Sequence, residues 1–336
     1  MKKTFGIIGY GRFGKLWARH LAQIGEVMIY DSKKITEPLP KNCTVASLQE
    51  VALCKMLFLA VPISKLDVVS KKIAKHLGKS TIVADVSSVK LFTAKILKKN
   101  LPKHQTIIGT HPLFGPDSVK NARTLSGFQI AVTPVNCSKS ELKAFLSVLK
   151  KLHLDILMTT PRDHDRQMAN SQGLIHFIGR GLEGLSLKPQ TIATRDYGSL
   201  LHIKDMVVHD TWQLFLDMQR YNTLTAPVRR KFLQRLIDIE KYISKRETTT
   251  ITSARKKIDS IDSQIIESIA ERNSLVKKIG RLKKEQQQNI TDNLREHKLK
   301  QTHIRMAHKL HVDGSVVDKI FSLLILHAKQ IQKNEK

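Results

Sequence analysis

Three glycines near the beginning of the chain form a G-x-G-x-x-G pattern between two apolar stretches. Gly9, Gly11 and Gly14 follow the stretch TFGII, a segment of helical periodicity comes next, and Asp31 follows the second stretch, EVMIY. This order is typical of a dinucleotide site, because the glycines let the backbone approach a pyrophosphate and the carboxylate binds a ribose. The predicted cofactor contacts are Gly9, Gly11, Arg12, Phe13, Gly14 and Asp31. A carboxylate repels a 2′-phosphate, so NAD is favoured, although two lysines after Asp31 leave NADP open.

A histidine, His111, lies in the segment GTHPLFGPD at the end of the apolar stretch HQTIIGTHP. Ser88 comes shortly after another such stretch, STIVAD. Ligands of an open parallel sheet bind beyond the carboxyl ends of its strands, so both side chains are expected on the ligand side. The alternative for His111 is a core histidine, which more often lies in the middle of a strand or on a helix flank. An imidazole, with an ordinary pKa of about 6.5, suits proton transfer with a bound ligand.

Alternating strand and helix patterns surround these residues up to about residue 160, where the periodicity becomes helical. The predicted fold is a Rossmann-type, doubly wound α/β sheet, then an all-α domain for dimerisation and substrate binding, then an all-α domain of three helices. The predicted bounds are residues 1–160, 161–245 and 254–336, with a polar, aperiodic linker over 246–253. One helix beginning near residue 161 is expected to present Asp165, Gln172 and His176 on a common face.

The composition limits the classes of function. The chain has 336 residues, of which 41% are hydrophobic, and this suits two or three globular domains. A formal net charge of +28 suits anionic ligands, but only 5% of residues are aromatic, so no nucleic-acid partner is predicted. No apolar run is long enough to span a membrane or serve as a signal peptide. Cys43, Cys54 and Cys137 lack metal-ligand spacing, which indicates reduced thiols of a cytoplasmic protein and no metal site.

A second group of candidate residues follows the linker, on a seam with alternating steps of three and four residues. The seam positions are Arg255, Ile258, Asp262, Ile265, Ile269, Arg272, Val276, Ile279 and Lys283. A structural coiled coil would place apolar residues at nearly all of these positions. Arg272 and Lys283 share a face about 16 Å apart along a helix axis, which leaves a gap suited to a small dianion. The alternative is that the cationic side chains extend along the surface into water.

Four segments, GIIGYGRFG, DVSSVK, GTHPLFGPD and HDRQMANSQGLIHF, together resemble the prephenate dehydrogenases and the related arogenate dehydrogenases over residues 4–240. This family transfers a hydride from the ring carbon that bears a hydroxyl to a nicotinamide, with loss of carbon dioxide. The resemblance implies that His111 binds that hydroxyl and takes its proton, and that Ser88 orients His111 beside the nicotinamide. It also implies that Gln172 and His176 line the substrate pocket, with helix packing as their alternative role.

The family holds the ring carboxylate of its substrate with an arginine of the helical domain. The segment TRDYGSLLHIKDM offers Arg195 for this role, and Arg180 is the alternative.

The segment after the linker resembles the all-helical, type II chorismate mutases over residues 254–332. The match includes ARKKIDSIDSQIIESIAER, continues through Lys283 and extends into TDNLREHKL. The resemblance implies an intertwined dimer that rearranges chorismate to prephenate without a cofactor. The implied site residues are Arg272 and Arg295 for the carboxylates, Lys283 and Gln332 for the ether oxygen, Glu296 for the hydroxyl, Asp292, and Arg255 reaching into the partner's site.

Two positions depart from the mutase pattern. Ala328 stands where the family usually has a serine, and Gln332 lies close to the last residue of the sequence. The combined interpretation is nevertheless a bifunctional enzyme of tyrosine biosynthesis, because one domain would make prephenate and the other would oxidise it with NAD. The alternatives are an arogenate dehydrogenase, and a dehydrogenase whose mutase-like domain only regulates or dimerises. The strictness of the NAD preference and inhibition by tyrosine stay open.

Overall fold

The computed structural model describes residues 4–119, 122, 124–208, 210–247 and 250–334. The chain divides into two compact units, the first ending at Leu236 and the second beginning at Ile237. The predicted domain bounds differ from this division and stay a prediction. Residues 248 and 249, within the predicted linker, lie outside the described residues.

The first unit contains a sheet of eight strands in the order β3-β2-β1-β4-β5-β6-β7-β8. Its strands are β1 (Thr4–Ile8), β2 (Glu26–Tyr30), β3 (Cys43–Val45), β4 (Met56–Leu59), β5 (Ile82–Asp85), β6 (Thr106–Pro112), β7 (Gln129–Asn136) and β8 (Asp155–Met158). All neighbouring strands pair in parallel except β6 and β7, which are antiparallel. The carboxyl ends of β1, β2, β5 and β6 therefore meet at one edge of the sheet, as the Rossmann-type prediction requires.

Five helices flank this sheet along the chain: α1 (Arg12–Leu21), α2 (Leu48–Ala52), α3 (Leu66–Ile73), α4 (Leu91–Asn100) and α5 (Lys139–Lys151). Side chains alternate between the two faces of a strand, so each face has its own core. Ile7 and Phe58 pack with Trp17 in one cluster, whereas Ile8 and Leu57 belong to the other.

The helical part of the chain continues with α6 (Pro161–Asn170), α7 (Gln172–Gly184), α8 (Arg195–Val208), α9 (Trp212–Tyr221) and α10 (Thr225–Glu247). The prediction of a single helix through Asp165 and His176 is wrong, because the chain breaks at Ser171, whose φ is −113° and ψ is −92°. The Gln167 carbonyl accepts the last amide hydrogen bond of α6 from Ser171 at 3.0 Å and also accepts the Ser171 hydroxyl at 2.7 Å.

The second unit contains three further helices, α11 (Ile251–Glu285), α12 (Asn293–Lys309) and α13 (Gly314–Asn334). The helix α13 packs against both α11 and α12. Helix α11 begins with a capping box in which Thr250 Oγ1 accepts from the Ser253 amide at 3.2 Å. No helix among the described residues of the chain is long and apolar enough to cross a membrane.

Candidate active sites

The glycine loop between β1 and α1 is built from glycines with different physical roles. Gly9 has φ +101°, and a Cβ added to it would lie 2.4 Å from the Ala60 carbonyl oxygen. A Cβ on Gly14 would lie 2.0 Å from the carbonyl oxygen of Gly9. A Cβ on Gly11 would meet no atom of the protein within 4 Å. Gly9 and Gly14 are therefore required by the fold itself, whereas Gly11 keeps open a space that a ligand can fill.

Asp31 lies directly after β2 and is fixed beside this loop by backbone amides. Its Oδ2 accepts from the Tyr10 amide at 2.6 Å, and its Oδ1 accepts from the Lys33 amide at 2.8 Å. Helix α1 begins after Gly11, and no side chain caps it. Its first backbone amides are therefore able to donate hydrogen bonds to a ligand. A glycine cradle, uncapped amides and a fixed carboxylate together fit the pyrophosphate and ribose of a dinucleotide.

The two remaining residues of the predicted cofactor set have other contacts in the structure. The Arg12 guanidinium forms an ion pair with Asp117 at 2.6 Å, in the segment after β6. The Phe13 ring stacks on Trp17 with a centroid separation of 5.7 Å and lies 6.5 Å from the Phe114 ring. Both residues thus join the glycine loop to its surroundings, and their contact with a cofactor stays a prediction.

His111 lies at the carboxyl end of β6 and is only 4% exposed. Its Nδ1 lies 2.9 Å from Nε2 of His164, and Nδ1 of His164 lies 2.8 Å from Oδ1 of Asp165. The Asp165 carboxylate also accepts hydrogen bonds from two backbone amides at the beginning of α4, those of Lys90 at 2.7 Å and Leu91 at 2.9 Å. A continuous series of hydrogen bonds therefore connects the predicted catalytic histidine to the beginning of a helix.

A buried ion pair between Lys90 and Asp85 lies next to this series of hydrogen bonds. Neither Lys90 nor Asp85 has more than 1% of its side chain exposed, and the Lys90 ammonium donates to the Asp85 carboxylate. The same ammonium donates to the Thr110 carbonyl at 2.6 Å, and the Thr110 hydroxyl donates to the Asp85 carbonyl at 2.7 Å. These contacts fix the end of β6 and thus the backbone position of His111.

The environment of these residues favours the neutral form of both histidines. Burial lowers the pKa of His111 well below its ordinary value, and the neighbouring His164 and Lys90 lower that pKa further. Burial also lowers the pKa of His164, although the Asp165 carboxylate opposes this effect. Burial lowers the pKa of the Lys90 ammonium against the opposing effect of Asp85. A neutral His111 carries a lone pair and can accept a proton.

Ser88 lies between β5 and α4, and its hydroxyl is buried without a hydrogen-bond partner among the described residues. In the structure His164 holds the Nδ1 of His111 and the Ser88 hydroxyl makes no hydrogen bond to the ring, so the orienting role of Ser88 stays a prediction. A buried hydroxyl without a partner is costly unless a ligand or water satisfies it. The Ser88 hydroxyl is therefore a candidate ligand contact.

The sequence patterns do not indicate His164, Lys90 or Asp85 as functional residues. Two of them could have been suggested only by neighbouring candidates in the sequence. His164 directly precedes Asp165, and Lys90 directly follows the Ser-Ser-Val segment that includes Ser88. Only the fold brings His164 to His111, 53 positions earlier in the chain.

The predicted substrate residues of the helical part lie on α7. Gln172 is the first residue of α7 and is half-buried, whereas His176 is buried, with its Nδ1 3.6 Å from Oδ2 of Asp210. Burial lowers the pKa of His176, and Asp210 opposes this. One turn later, Arg180 is buried with its guanidinium 4.7 Å from the Trp212 ring centroid. Arg195 is exposed at the beginning of α8.

Two half-buried cations of the predicted seam bind backbone carbonyls in the second unit. Arg272 donates to the Leu324 carbonyl of α13 at 3.0 Å. The Lys283 ammonium donates to the carbonyls of Asn289 at 3.0 Å and Ile290 at 2.7 Å. Arg255 is exposed near the beginning of α11. Most other seam positions are exposed in the single chain, and Val276 is buried.

The remaining predicted mutase residues lie on α12 and α13. Glu296 pairs with Lys329 at 2.9 Å and lines a groove between these two helices. Asp292 caps α12 by accepting the amide of the exposed Arg295 at 3.0 Å. Gln332 packs against Gly280 of α11, and its Oε1 is buried without a hydrogen-bond partner among the described residues. Arg272 and Lys283 do not line this groove.

Comparisons with protein families match separate parts of the chain. The model described as prephenate dehydrogenase, nucleotide-binding domain, matches residues 29–157, and the model described as chorismate mutase type II matches residues 254–333. A third model, TYRAAT1-like, C-terminal domain, matches residues 181–255.

Individual proteins give a consistent result. Arogenate dehydrogenase 1, chloroplastic, of Arabidopsis thaliana is 28% identical over 65% of this chain, which spans only 35% of that relative's length. Chorismate mutase of Methanocaldococcus jannaschii is 39% identical over 25% of this chain and 84% of its own length. The crystal structure of prephenate dehydrogenase from A. aeolicus, in complex with hydroxyphenyl propionate and NAD+, has a TM-score of 0.58 at 19% identity. That likeness covers 79% of this chain and 99% of the A. aeolicus chain and concerns the fold.

Proposed function

Since the chain belongs to the prephenate dehydrogenase family in its N-terminal part and to the type II chorismate mutases in its C-terminal part, we propose that it catalyses two successive reactions of tyrosine biosynthesis. The second unit rearranges chorismate to prephenate. The first unit then oxidises and decarboxylates prephenate to 4-hydroxyphenylpyruvate. The observation that carries the dehydrogenase part of the proposal is the buried His111, whose pKa is lowered by burial and which is held by His164 at the same sheet edge as the glycine loop.

The cofactor proposed for the first unit is NAD. The cradle at Gly11, the uncapped first turn of α1 and the fixed carboxylate of Asp31 support this choice. Both Asp31 oxygens already accept backbone amides, so the anionic carboxylate is held in place and disfavours a 2′-phosphate. Bound NAD would supply the acceptor for the hydride.

The residues of the first unit bind the substrate and transfer the proton of its ring hydroxyl. His111 takes the proton of the ring hydroxyl while the hydride leaves the same carbon, and it returns the proton to the oxygen as the ring becomes aromatic. The bond to the ring carboxylate breaks in the same conversion, its electron pair enters the ring, and carbon dioxide leaves. The Ser88 hydroxyl borders the site, and Gln172 and His176 line the substrate pocket. The arginine for the ring carboxylate is Arg195 by resemblance, with the buried Arg180 as the alternative.

The mutase proposal rests on cations and polar groups that hold one conformer of chorismate. Such a rearrangement exchanges an ether C–O bond for a C–C bond within chorismate and needs no covalent bond to the protein, because orientation and electrostatic stabilisation lower its barrier. Arg272 and Arg295 would bind the carboxylates, Lys283 and Gln332 the ether oxygen, and Glu296 the hydroxyl. Asp292 would support this arrangement by capping α12. Gln332 would donate to the ether oxygen from its amide Nε2, because its buried Oε1, which has no partner among the described residues, can only accept a hydrogen bond.

We propose that the chain forms a homodimer through the second unit. The seam residues Ile258, Ile265 and Ile279 are 56%, 51% and 42% exposed in the single chain. A second copy would cover these apolar side chains and place Arg255 in the partner's site. Sedimentation equilibrium is expected to give a dimer, and a monomer at assay concentrations would contradict this proposal. The three free thiols suit a reducing compartment, and we propose the cytoplasm.

Arogenate is the second candidate substrate of the first unit, because the Arabidopsis relative is named an arogenate dehydrogenase. Prephenate and arogenate are each supplied to the full chain with NAD while NADH formation is measured. Preferred turnover of prephenate supports the proposal, and preferred turnover of arogenate replaces it. Loss of chorismate, measured with the same protein, separates a catalytic second unit from one that only regulates.

A further inference from the structure

The hydrogen bonds from Asp165 to His111 have only one consistent direction. The Asp165 carboxylate accepts two backbone amides, so it is the anionic end of the series. His164 must then donate its Nδ1–H to Asp165, and the neutral ring presents a lone pair on Nε2. His111 in turn donates its Nδ1–H to His164. This direction leaves the lone pair of His111 on Nε2, the nitrogen that His164 does not contact.

We propose, on the basis of the dehydrogenase function above, that His164 and Asp165 are positioning residues that fix the base tautomer of His111 and share its positive charge. The proton of the substrate hydroxyl moves to Nε2 of His111. The Nδ1–H of His111 can then shift toward Nε2 of His164, whose own Nδ1–H is bound to the Asp165 carboxylate. The charge is thereby drawn toward an anion, and the proton returns to the substrate oxygen by the reverse path.

The charged groups around the two histidines are consistent with this role. Lys90, at the beginning of α4, opposes a positive charge on either ring, but it is paired with Asp85 of β5. Asp165, on α6, is the carboxylate that contacts a histidine ring of the series. A positive charge is therefore best placed on His164, next to Asp165, rather than on an isolated His111.

Kinetics of variants test the proposal. In His164→Ala we expect the kcat of prephenate oxidation to fall about 10²-fold or more, with a smaller change in KM, because the base loses its partner. His164→Gln restores an acceptor near the position of Nε2 but cannot take a proton, so its kcat should lie between those of the other two proteins. The control is His104→Gln, at an exposed histidine of the same unit, which should match the wild type. An unchanged kcat in His164→Ala would overturn the proposal.

The tautomer itself can be observed without any turnover. Long-range ¹H–¹⁵N correlation spectra of the full chain, labelled at histidine and assigned with His111→Asn, report which ring nitrogen carries the proton. We expect His111 protonated at Nδ1 in the wild type and a loss of this preference in His164→Ala. A wild-type His111 protonated at Nε2 would contradict the inference. If the tautomer is as expected but neither prephenate nor arogenate is oxidised, the proposed function fails while the assigned hydrogen-bond direction stands.

Discussion

Lys90 and Asp85 form an ion pair in which 0% and 1% of the two side chains are exposed. The pair connects β5 to the carbonyl of Thr110, the residue directly before His111. Replacing Lys90 leaves a buried carboxylate without its partner, so we expect Lys90→Met to lower the free energy of unfolding by about 3–5 kcal/mol. Urea unfolding can be followed by tryptophan fluorescence, because Trp17 is fully buried in this unit.

The control for this prediction is Lys71→Met. Lys71 pairs with Asp67 on the surface, with 57% and 37% of the side chains exposed, and such pairs contribute less than about 1 kcal/mol. Equal effects of the two substitutions would show that the buried pair is not a special support of the site. Lys90→Met combined with Asp85→Asn should recover part of the stability, because no buried charge remains unpaired.

The glycine loop gives a pair of substitutions with opposite expected results. Gly14→Ala places a Cβ 2.0 Å from the Gly9 carbonyl oxygen, so it should lower the Tm. Gly11→Ala meets no protein atom within 4 Å and should leave the Tm unchanged. If the dinucleotide occupies that space, Gly11→Ala should weaken NAD binding by about tenfold or more, since steric overlap costs about 1–3 kcal/mol. Titration calorimetry measures this, and unaltered NAD binding by Gly11→Ala would place the cofactor elsewhere.

The pKa of His111 predicts the pH dependence of the dehydrogenase. The base must be neutral to accept a proton, and burial holds its pKa well below the ordinary value. Protonation therefore inhibits only at low pH, so kcat/KM for prephenate should fall on the acid side with a midpoint below about 6.5. The profile is measured with NAD saturating. An acid midpoint above that value would indicate a different base or a solvated histidine.

Ala328 offers a substitution that should improve the mutase. It is 8% exposed on α13, one turn before Gln332. Ala328→Ser restores the hydroxyl usual in the family and should raise kcat/KM for chorismate several-fold, because a hydrogen bond contributes about 0.5–1.5 kcal/mol. Ala328→Val, which adds volume without a hydroxyl, is the control. A decrease in both variants would mean that the alanine is required by packing alone.

Much of the fold could be predicted from the sequence, because short-range patterns determine it. Strand and helix periodicity predicted the sheet, and the positions of His111 and the glycine loop followed from the strand ends. The partners of His111 could not be predicted, because no spacing relates His164 to a strand far earlier in the chain. The break at Ser171 cannot be predicted from the sequence, since the apolar pattern continues across it. The seam pattern indicates Arg272 and Lys283, but it does not show which surface covers the exposed seam residues Ile258, Ile265 and Ile279.

The central claim is that two separate sites act in sequence on one path from chorismate. The direct measurement supplies the full chain with chorismate and NAD and follows chorismate loss and NADH formation together. The wild type should form NADH after a lag. His111→Asn should consume chorismate without forming NADH, with the oxidation rate lowered by about 10²–10⁴-fold. Lys283→Ala should fail on chorismate and still form NADH from added prephenate. If both folded variants lose both activities, or if chorismate is never consumed, the two-site account is wrong.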